Sequence, residues 1–323
     1  MRTLIRELVG ACALLWLVLS LTFVLIRLAP GDPSLFLVDP ASGPASAARL
    51  RSELGLDAPL VVQYARWAGD VLRGNLGESF AAHRPVASVL RDAVPISLGL
   101  GGTSLLLTFL LGVALGVFQG IRRGTRLDMI LTTFGTAVYA APSFWLALAL
   151  VALFTYGAAR WNFPQWIRLP AFGVRDPAST DADLTDLARH ALLPVATLTA
   201  IGAAGIARYA RSIVTDLAGA PFLRSARAKG LAGPAIYGRH LLANALPPLI
   251  TLFALSLPGV LAGSVFVETV FGWPGLGRLM VSSIAARDYP VVMGATVLYA
   301  ALVILANLCG DLLLPLVDPR RRQ

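Results

Sequence analysis

The chain has 323 residues, 56% of them hydrophobic and only 14% charged, with a net charge of +9. Soluble domains carry about 25% charged residues, so a chain with mean hydropathy +0.71 lacks the polar surface that water requires. The low charge also excludes a disordered protein. Its basic residues are 26 arginines and one lysine spread along the sequence, not the clustered stripe of a nucleic-acid-binding protein, so no nucleic-acid partner is expected.

Between consecutive Asp, Glu, Arg and Lys residues lie six long gaps: Leu8–Ile26, Ala93–Ile121, Met129–Ala159, His190–Ala207, His240–Val267 and Tyr289–Gly310. They hold 19, 29, 31, 18, 28 and 22 residues. A helix needs about 20 apolar residues to cross a bilayer core. The fourth gap is short, and Arg208 and Arg211 extend it by snorkelling. The expectation is an all-α polytopic membrane protein with six spans. The first lies within residues 1–28, and the others at about 96–121, 129–157, 189–211, 243–267 and 290–314.

Arg2 and Arg6 precede the first span, as in a signal peptide. The apolar run exceeds the usual signal length of about 7–15 residues, and Leu28-Ala29-Pro30-Gly31-Asp32-Pro33 is no small-residue cleavage site, so the span is read as retained. Residues 29–92 form an external helical segment ahead of a five-helix core over 93–323. In it a helix over 45–54 stops at Gly55. A second starts at Asp57 with Pro59 in its first turn. It places Val62, Ala65 and Val71 on one face, with Tyr64, Trp67 and Ala68 beside them.

Gly112, Gly116 and Gly120 make a doubled GxxxG pattern, and Gly259 and Gly263 a single one. Small residues let membrane helices approach closely, and both patterns are read as intramolecular packing. Trp161, Phe163 and Trp166 suit an interfacial belt in the second external segment. Cys12 and Cys309 lie in different spans and suggest neither disulfide nor metal. His190, near Asp181, Asp183 and Asp186, reads as a polar helix start, because no HExxH spacing accompanies it. Ser256, Ser264, Asn307, Thr103 and Thr108 are candidates for a passage, since polar groups in spans face the bundle interior. The competing role is helix–helix hydrogen bonding, worth about 0.6 kcal/mol each. Glu268 and Asp311 are expected at interfacial positions near span ends.

Loop charge orients the bundle. With the N-terminus inside, the inside segments hold 14 positive and 5 negative charges, and the outside ones 13 of each. The whole excess falls on one side, so both termini are expected in the cytoplasm.

The inside segment between the fourth and fifth spans is the most informative. Residues 220–230 read as a short helix, with Pro221 at its first position and Gly230 as the left-handed residue after its end. Arg227 and Lys229 complement the dipole at its C-terminus. Topology requires only charge; a capped helix of small residues suits insertion in a partner's cleft.

This loop resembles the EAA loop of permease subunits in binding-protein-dependent ABC importers. More narrowly, the chain is similar to the first-type subunit of the permease pair in the dipeptide/oligopeptide/nickel group. Shared features run through nearly the whole chain. They are Leu28–Pro33, Leu54-Gly55-Leu56-Asp57-Ala58-Pro59 with Gln63-Tyr64, Arg73–Ser79, Arg84-Pro85-Val86 and Pro142-Ser143-Phe144-Trp145. Val267–Gly277, Arg287-Asp288-Tyr289-Pro290 and Asp318-Pro319-Arg320 complete the series.

The resemblance implies a type I ABC importer permease (MetI-like) fold with a coupling loop over 216–244. It implies that Phe222, Leu223, Arg224, Ser225, Ala226, Lys229, Gly230 and Leu231 form the contact with a cytoplasmic ATPase. Arg224 stands where the general motif has Glu, as is common in the peptide-type subgroup, so no Glu-based salt bridge is implied. Ala140 replaces a Ser often found before the Pro-Ser-Phe stretch. Glu268 begins the family's outward turn and, with Ser256, Ser264 and Asn307, is a candidate for the path or its gate.

The implied partners are a second homologous permease subunit, two ABC ATPases, an extracytoplasmic substrate-binding protein and the bilayer of a bacterial or archaeal cytoplasmic membrane. Nucleotide and magnesium then belong to the ATPases, and the chain itself is no enzyme and holds no cofactor. Its only lysine, Lys229, precedes Gly230, so it has no GxxxxGK[ST] phosphate loop. Cargo in the family spans peptides, nickel chelates, glutathione and oligosaccharides, with di- and oligopeptides expected here. A secondary transporter is disfavoured, because the span interiors lack the ionisable residue that ion coupling uses.

Overall fold

The computed structural model describes residues 2–28, 46, 48–49, 51–52, 55–176, 184–231, 236–257, 259 and 264–317. The helices, in chain order, are α1 (Arg2–Leu28), α2 (Leu60–Leu72), α3 (Val86–Ile121), α4 (Arg126–Ala140) and α5 (Ser143–Val151). There follow α6 (Leu184–Ala218), α7 (Pro221–Ala228), α8 (Leu242–Ser256), α9 (Val265–Val270), α10 (Leu276–Ala285) and α11 (Tyr289–Val317). π-helical turns at Ala152–Gly157 and Ile236–Leu241 extend α5 and lead into α8. Among the described residues the sole extended pairing is an isolated antiparallel bridge between Glu78 and Pro85. The fold is all-α.

Among the described residues, five helices are long and apolar enough to cross a bilayer: Val9–Leu28, Val86–Ile121, Ser143–Arg160, Leu184–Ala218 and Tyr289–Gly310. Two expected spans differ. The third, expected at 129–157, breaks between α4 and α5, where Ala141 is extended at φ −71° and ψ 135°. Pro142 lacks an N–H and pushes the preceding residue out of the helical region, which explains the break. The fifth, expected at 243–267, is represented by the 15-residue α8 and the separate α9, and residues 258 and 260–263 between them lie outside the described residues. Also outside are residues 29–33 and 318–320 of the family-like motifs, Gly263, Asp181, Asp183 and half of the expected 45–54 helix.

The chain divides into two compact units, Met1–Ile96 with Gly275–Ile304 and Ser97–Pro274 with Leu305–Gln323. In the first, α2 packs its aromatic side on α1: Phe23 lies 5.4 Å from Tyr64 and 5.3 Å from Trp67, centroid to centroid. Tyr64 and Ser20 share a 2.6 Å hydrogen bond. The side turned to α1 is therefore Tyr64, Trp67 and Ala68, while Val62 and Ala65 of the other expected face are exposed. Aromatic rings carry more apolar area than valine or alanine and decide the rotation of the helix. The helix begins at Leu60, not at Asp57, because Gln63 Nε2 donates to the carbonyls of Leu56 and Ala58 and holds those residues in a turn. Gly55, at φ +66°, does end the preceding turn.

The same unit contains a buried carboxylate hub. Asp288, 2% exposed, accepts from Ser79 Oγ at 2.6 Å and from the backbone N–H of Phe80 and Ala81 at 3.1 Å. It also precedes α11 and accepts from Val291 N–H at 3.5 Å, as an N-cap does. One carboxylate thus ties the loop before α3 to the start of α11.

In the second unit α3 and α6 pack through the doubled GxxxG pattern. A Cβ at Gly112 would meet Ile206 Cβ at 2.7 Å, and one at Gly120 would meet Val214 Cγ1 at 2.5 Å. Gly116 faces the Ala207 carbonyl and Ala210 even more closely. The pattern is an intramolecular seam, consistent with its reading from sequence.

Candidate functional site

Helix α7 follows α6 after a two-residue turn and ends as its sequence dictates. Gly230 takes φ +80°, which an L side chain rarely adopts, and Leu231 N–H donates to Ala226 O at 3.3 Å. A glycine in the left-handed region with this six-to-one bond is a Schellman closure.

The helix has two unlike faces. Leu223 and Ala226 are buried, in a cluster with Val214 of α6 and with Ile236 and Leu241 of the π-helical turn; Phe222, Leu217, Val117 and Tyr237 pack around it. Arg224, Ser225, Lys229, Gly230 and Leu231 are exposed. Of the eight residues expected to meet a partner, then, Leu223 and Ala226 point inward. Leucine and alanine at this 3-residue spacing form the apolar stripe of an amphipathic turn, and the bundle itself covers it. The side chain of Arg227 lies outside the described residues.

One turn before Val214, Arg211 donates from Nε and Nη2 to the two carboxylate oxygens of Asp128, at 2.8 and 2.9 Å. Asp128 is 3% exposed and also accepts from Gly124 N–H at 3.0 Å. Thr125 caps α4 by accepting from Asp128 N–H at 3.3 Å. The Arg211 guanidinium, through its hydrogen bonds, holds the Asp128 carboxyl down at about 2. The sequence does not announce the pair. Opposite charges 83 positions apart carry no periodic signal.

The passage candidates are dispersed. Ser256 Oγ donates to its own helix at Leu252 O, 2.8 Å, and Asn307 is exposed. Ser264 and Glu268 are fully buried, and Ser97 Oγ donates to Glu268 Oε1 at 2.6 Å. Glu268 is thus enclosed by protein. Its backbone carbonyl also accepts from Trp273 N–H at 2.8 Å, so the turn after α9 folds back over it. Asp311 belongs to α11, and its side chain lies outside the described residues. Thr108 is buried where α3 meets Gly202 of α6. His190 Nδ1 lies 2.9 Å from Asp186 O and 3.2 Å from Asp186 Oδ1, one turn back on its helix. Among the described residues no three His, Cys, Asp or Glu side chains gather as a metal site.

A cavity of about 610 Å³ opens between α3, α4, α5 and α6, with Gln119, Thr132, Thr199, Arg208 and Arg211 among its lining groups. A second, of about 560 Å³, shares Leu111, Ala196 and Thr199 with it and lies beside Thr103 and Leu184. The polar groups come from three helices, so no single stretch of sequence announces the first cavity.

Comparison with known proteins follows the same lines. Residues 112–323 match the family "Binding-protein-dependent transport system inner membrane component", and residues 1–101 match the N-terminal region described for such membrane components. The oligopeptide transport system permease protein AppB of Bacillus subtilis (strain 168) is 35% identical over 318 residues, covering 98% of each chain. The di/tripeptide transport system permease protein DppB of Pseudomonas aeruginosa (strain UCBPP-PA14) is 37% identical, over 94% of this chain and 93% of its own. Among solved structures, the MetNI methionine ABC transporter in an inward-facing form aligns with a TM-score of 0.55 at 20% identity. It covers 72% of this chain and 97% of that one, which shows a common fold.

Proposed function

The chain belongs to the family of binding-protein-dependent transport system inner membrane components, and on that premise we propose that it is one of two permease subunits of an ATP-driven importer of short peptides. The peptide reading draws on full-length identity of 35–37% to permeases named for oligopeptides and di/tripeptides. In this reading an extracytoplasmic binding protein delivers the cargo, and two cytoplasmic ATPases carry nucleotide and magnesium. The chain itself has no phosphate loop and no cofactor. Both termini and α7 lie in the cytoplasm, in keeping with the basic excess of the inside loops.

The observation that carries the mechanism is the two-faced geometry of α7. Its inner face, Leu223 and Ala226, is packed on Val214 and Leu241, so a push on α7 is a push on α6 and on the start of α8. Its outer face, Arg224, Ser225 and Lys229, is free for a groove on the ATPase. Closed ATPases draw the docked helices together and shift the permease pair from inward-open to outward-open; hydrolysis resets it. Interfaces packed in this way switch between discrete arrangements rather than deform.

The test is reconstitution. The chain, its genomic neighbour permease, the ATPases and the binding protein are placed in proteoliposomes, and uptake of radiolabelled trialanine is followed with and without ATP. Uptake that requires ATP and the binding protein is the expected result. Failure of the chain to assemble with the ATPases overturns the reading.

A further inference from the structure

Arg27 stands one residue from the end of the Val9–Leu28 span, at the depth where a bilayer gives way to water. It follows Phe23 by four positions and shares its side of the helix. Phe23 is 2% exposed, and the guanidinium lies over its ring, 5.4 Å from the centroid. The group is thus turned toward α2. Among the described residues it has no hydrogen-bond or ion-pair partner: Nε is sealed and unbonded, and the two Nη groups remain for the pocket that Arg27 lines. A partly buried guanidinium without a counter-ion is costly, and its planar fork of donors selects a carboxylate or a phosphate to relieve it.

That pocket, of about 270 Å³, lies between the end of α1, one side of α2, the 75–80 loop and the start of α11. Arg66 lines it from α2 and also lacks a partner among the described residues. Asp70, one turn on, has only Arg73 Nη1 at 3.9 Å. Asn75 Oδ1 accepts from Gly77 N–H at 3.0 Å, which leaves the side-chain NH₂ of Asn75 open. The Tyr289 hydroxyl is open as well. The walls are fixed by other bonds. Asp288 fastens the 79–81 turn to the start of α11 beside Tyr289, and Gln63 Nε2 holds the turn that carries Leu56. Open polar groups on a fixed wall make a preorganised site.

Two cations, a carboxylate and neutral donors in one small pocket match a group that carries a phosphate and an ammonium together. The volume is below the roughly 300–1,000 Å³ of sites that hold whole small ligands, so it suits a headgroup rather than a short peptide. Leu14, Leu17, Leu21, Leu25 and Leu28 form one helical stripe on α1, 57–68% exposed, that runs up to the level of Arg27. Acyl chains have an apolar surface there, continuous with the pocket.

We propose that this pocket binds the headgroup of a phospholipid with a primary ammonium, such as phosphatidylethanolamine. Arg27 and Arg66 take the phosphate, Asn75 and Tyr289 add neutral hydrogen bonds, Asp70 takes the ammonium, and the chains lie along the leucine stripe of α1. In the topology proposed above the lipid belongs to the outer leaflet. The site does not depend on the identity of the cargo.

The complete transporter is purified, and native mass spectrometry counts the lipid it retains from micelles containing dioleoyl-phosphatidylethanolamine, dioleoyl-phosphatidylcholine or dioleoyl-phosphatidylglycerol. Wild type retains phosphatidylethanolamine in preference to the other two. Arg27→Gln lowers that retention about tenfold and Arg66→Gln about threefold to tenfold, as loss of charge-assisted hydrogen bonds requires. Arg27→Lys keeps part of it. Asp70→Asn removes the preference over phosphatidylcholine. Arg73→Gln, three positions beyond Asp70 and 79% exposed, retains lipid as wild type does. Every variant elutes as the assembled complex.

Equal retention of phosphatidylethanolamine by wild type, Arg27→Gln and Arg66→Gln overturns the site. Retention of phosphatidylglycerol that equals that of phosphatidylethanolamine and survives Asp70→Asn also overturns it and gives the arginines to an anionic headgroup. Release of the lipid by inorganic phosphate gives them to a free anion. Loss of the binding protein by Arg27→Gln, with lipid retention intact, gives them to acidic side chains of that protein. Retention is read without transport, so the peptide reading stands or falls separately.

Discussion

Arg211 of α6 grips Asp128 at the start of α4 with two hydrogen bonds of 2.8 and 2.9 Å, and the carboxylate is 3% exposed. The pair lies one helical turn from Val214, against which the buried face of α7 packs. Helices α7, α6 and α4 are therefore joined at one end of the unit. Asp128 is buried but Arg211 is 31% exposed, so removing the carboxylate leaves a partly solvated charge and costs less than the roughly 3–5 kcal/mol of a fully buried pair. Asp128→Ala is expected to lower the unfolding midpoint of the detergent-purified chain accordingly. Charge reversal at both positions is expected to recover part of the loss. Thermal unfolding followed by tryptophan fluorescence reads both.

The same pair sets a pH dependence. Hydrogen bonding to Arg211 holds the Asp128 carboxyl at about 2, below its ordinary 3.8. A carboxyl with a depressed folded pKa binds fewer protons folded than unfolded, so its contribution is complete above about pH 4 and is lost as pH falls through about 2. The stability gap between wild type and Asp128→Ala is expected to be constant from pH 7 to 5 and to shrink toward pH 2. A gap that widens on acidification contradicts the assignment.

Much of this arrangement was legible from residue patterns. Charge-free runs locate the long helices because a bilayer forces length and apolarity on them. The Pro221 start and Gly230 stop of α7 could be read because caps are local chemistry. Both groups that hold the ends of helices together escaped notice. The Ser79–Asp288 bond joins residues 209 positions apart, and Asp128–Arg211 joins residues 83 apart. Each motif containing Ser79 or Asp288 was visible, but nothing in either names the other. The choice of face has a similar cause. A helical wheel sets Val62 and Tyr64 on different sides of α2, and only the rings of α1 decide which side turns inward. The place of Glu268 near a span end does not announce its burial, which Ser97, 171 positions away, supports with a hydrogen bond.

Gly116 and Gly102 separate close packing from mere helix composition. Gly116 faces the Ala207 carbonyl and Ala210 with no room for a side chain, whereas a Cβ at Gly102 meets nothing within 4 Å. Gly116→Leu is expected to split α3 from α6 and abolish recovery of monodisperse protein. Gly102→Leu is expected to express and melt as wild type. Size-exclusion profiles of the two variants give the comparison.

The two faces of α7 predict two different failures. Leu223→Ala removes a fully buried side chain and is expected to destabilise the chain by about 2–5 kcal/mol. Arg224→Glu changes an exposed group and is expected to leave the unfolding midpoint within about 0.5 kcal/mol of wild type. Only the second is expected to lose uptake while fully folded. Unfolding midpoint and uptake, measured on the same preparations, separate the two.

Contact between α7 and an ATPase is the centre of the account, and one crosslink tests it. Ser225→Cys is made with Cys12 and Cys309 replaced by serine and Lys229, the chain's only lysine, replaced by arginine. A maleimide–succinimidyl ester then joins position 225 only to a lysine of another subunit or to a chain terminus. The account predicts a permease–ATPase adduct in the assembled complex whose yield changes when ATP is added. A co-purifying, transport-active complex that gives no adduct from position 225 would contradict it.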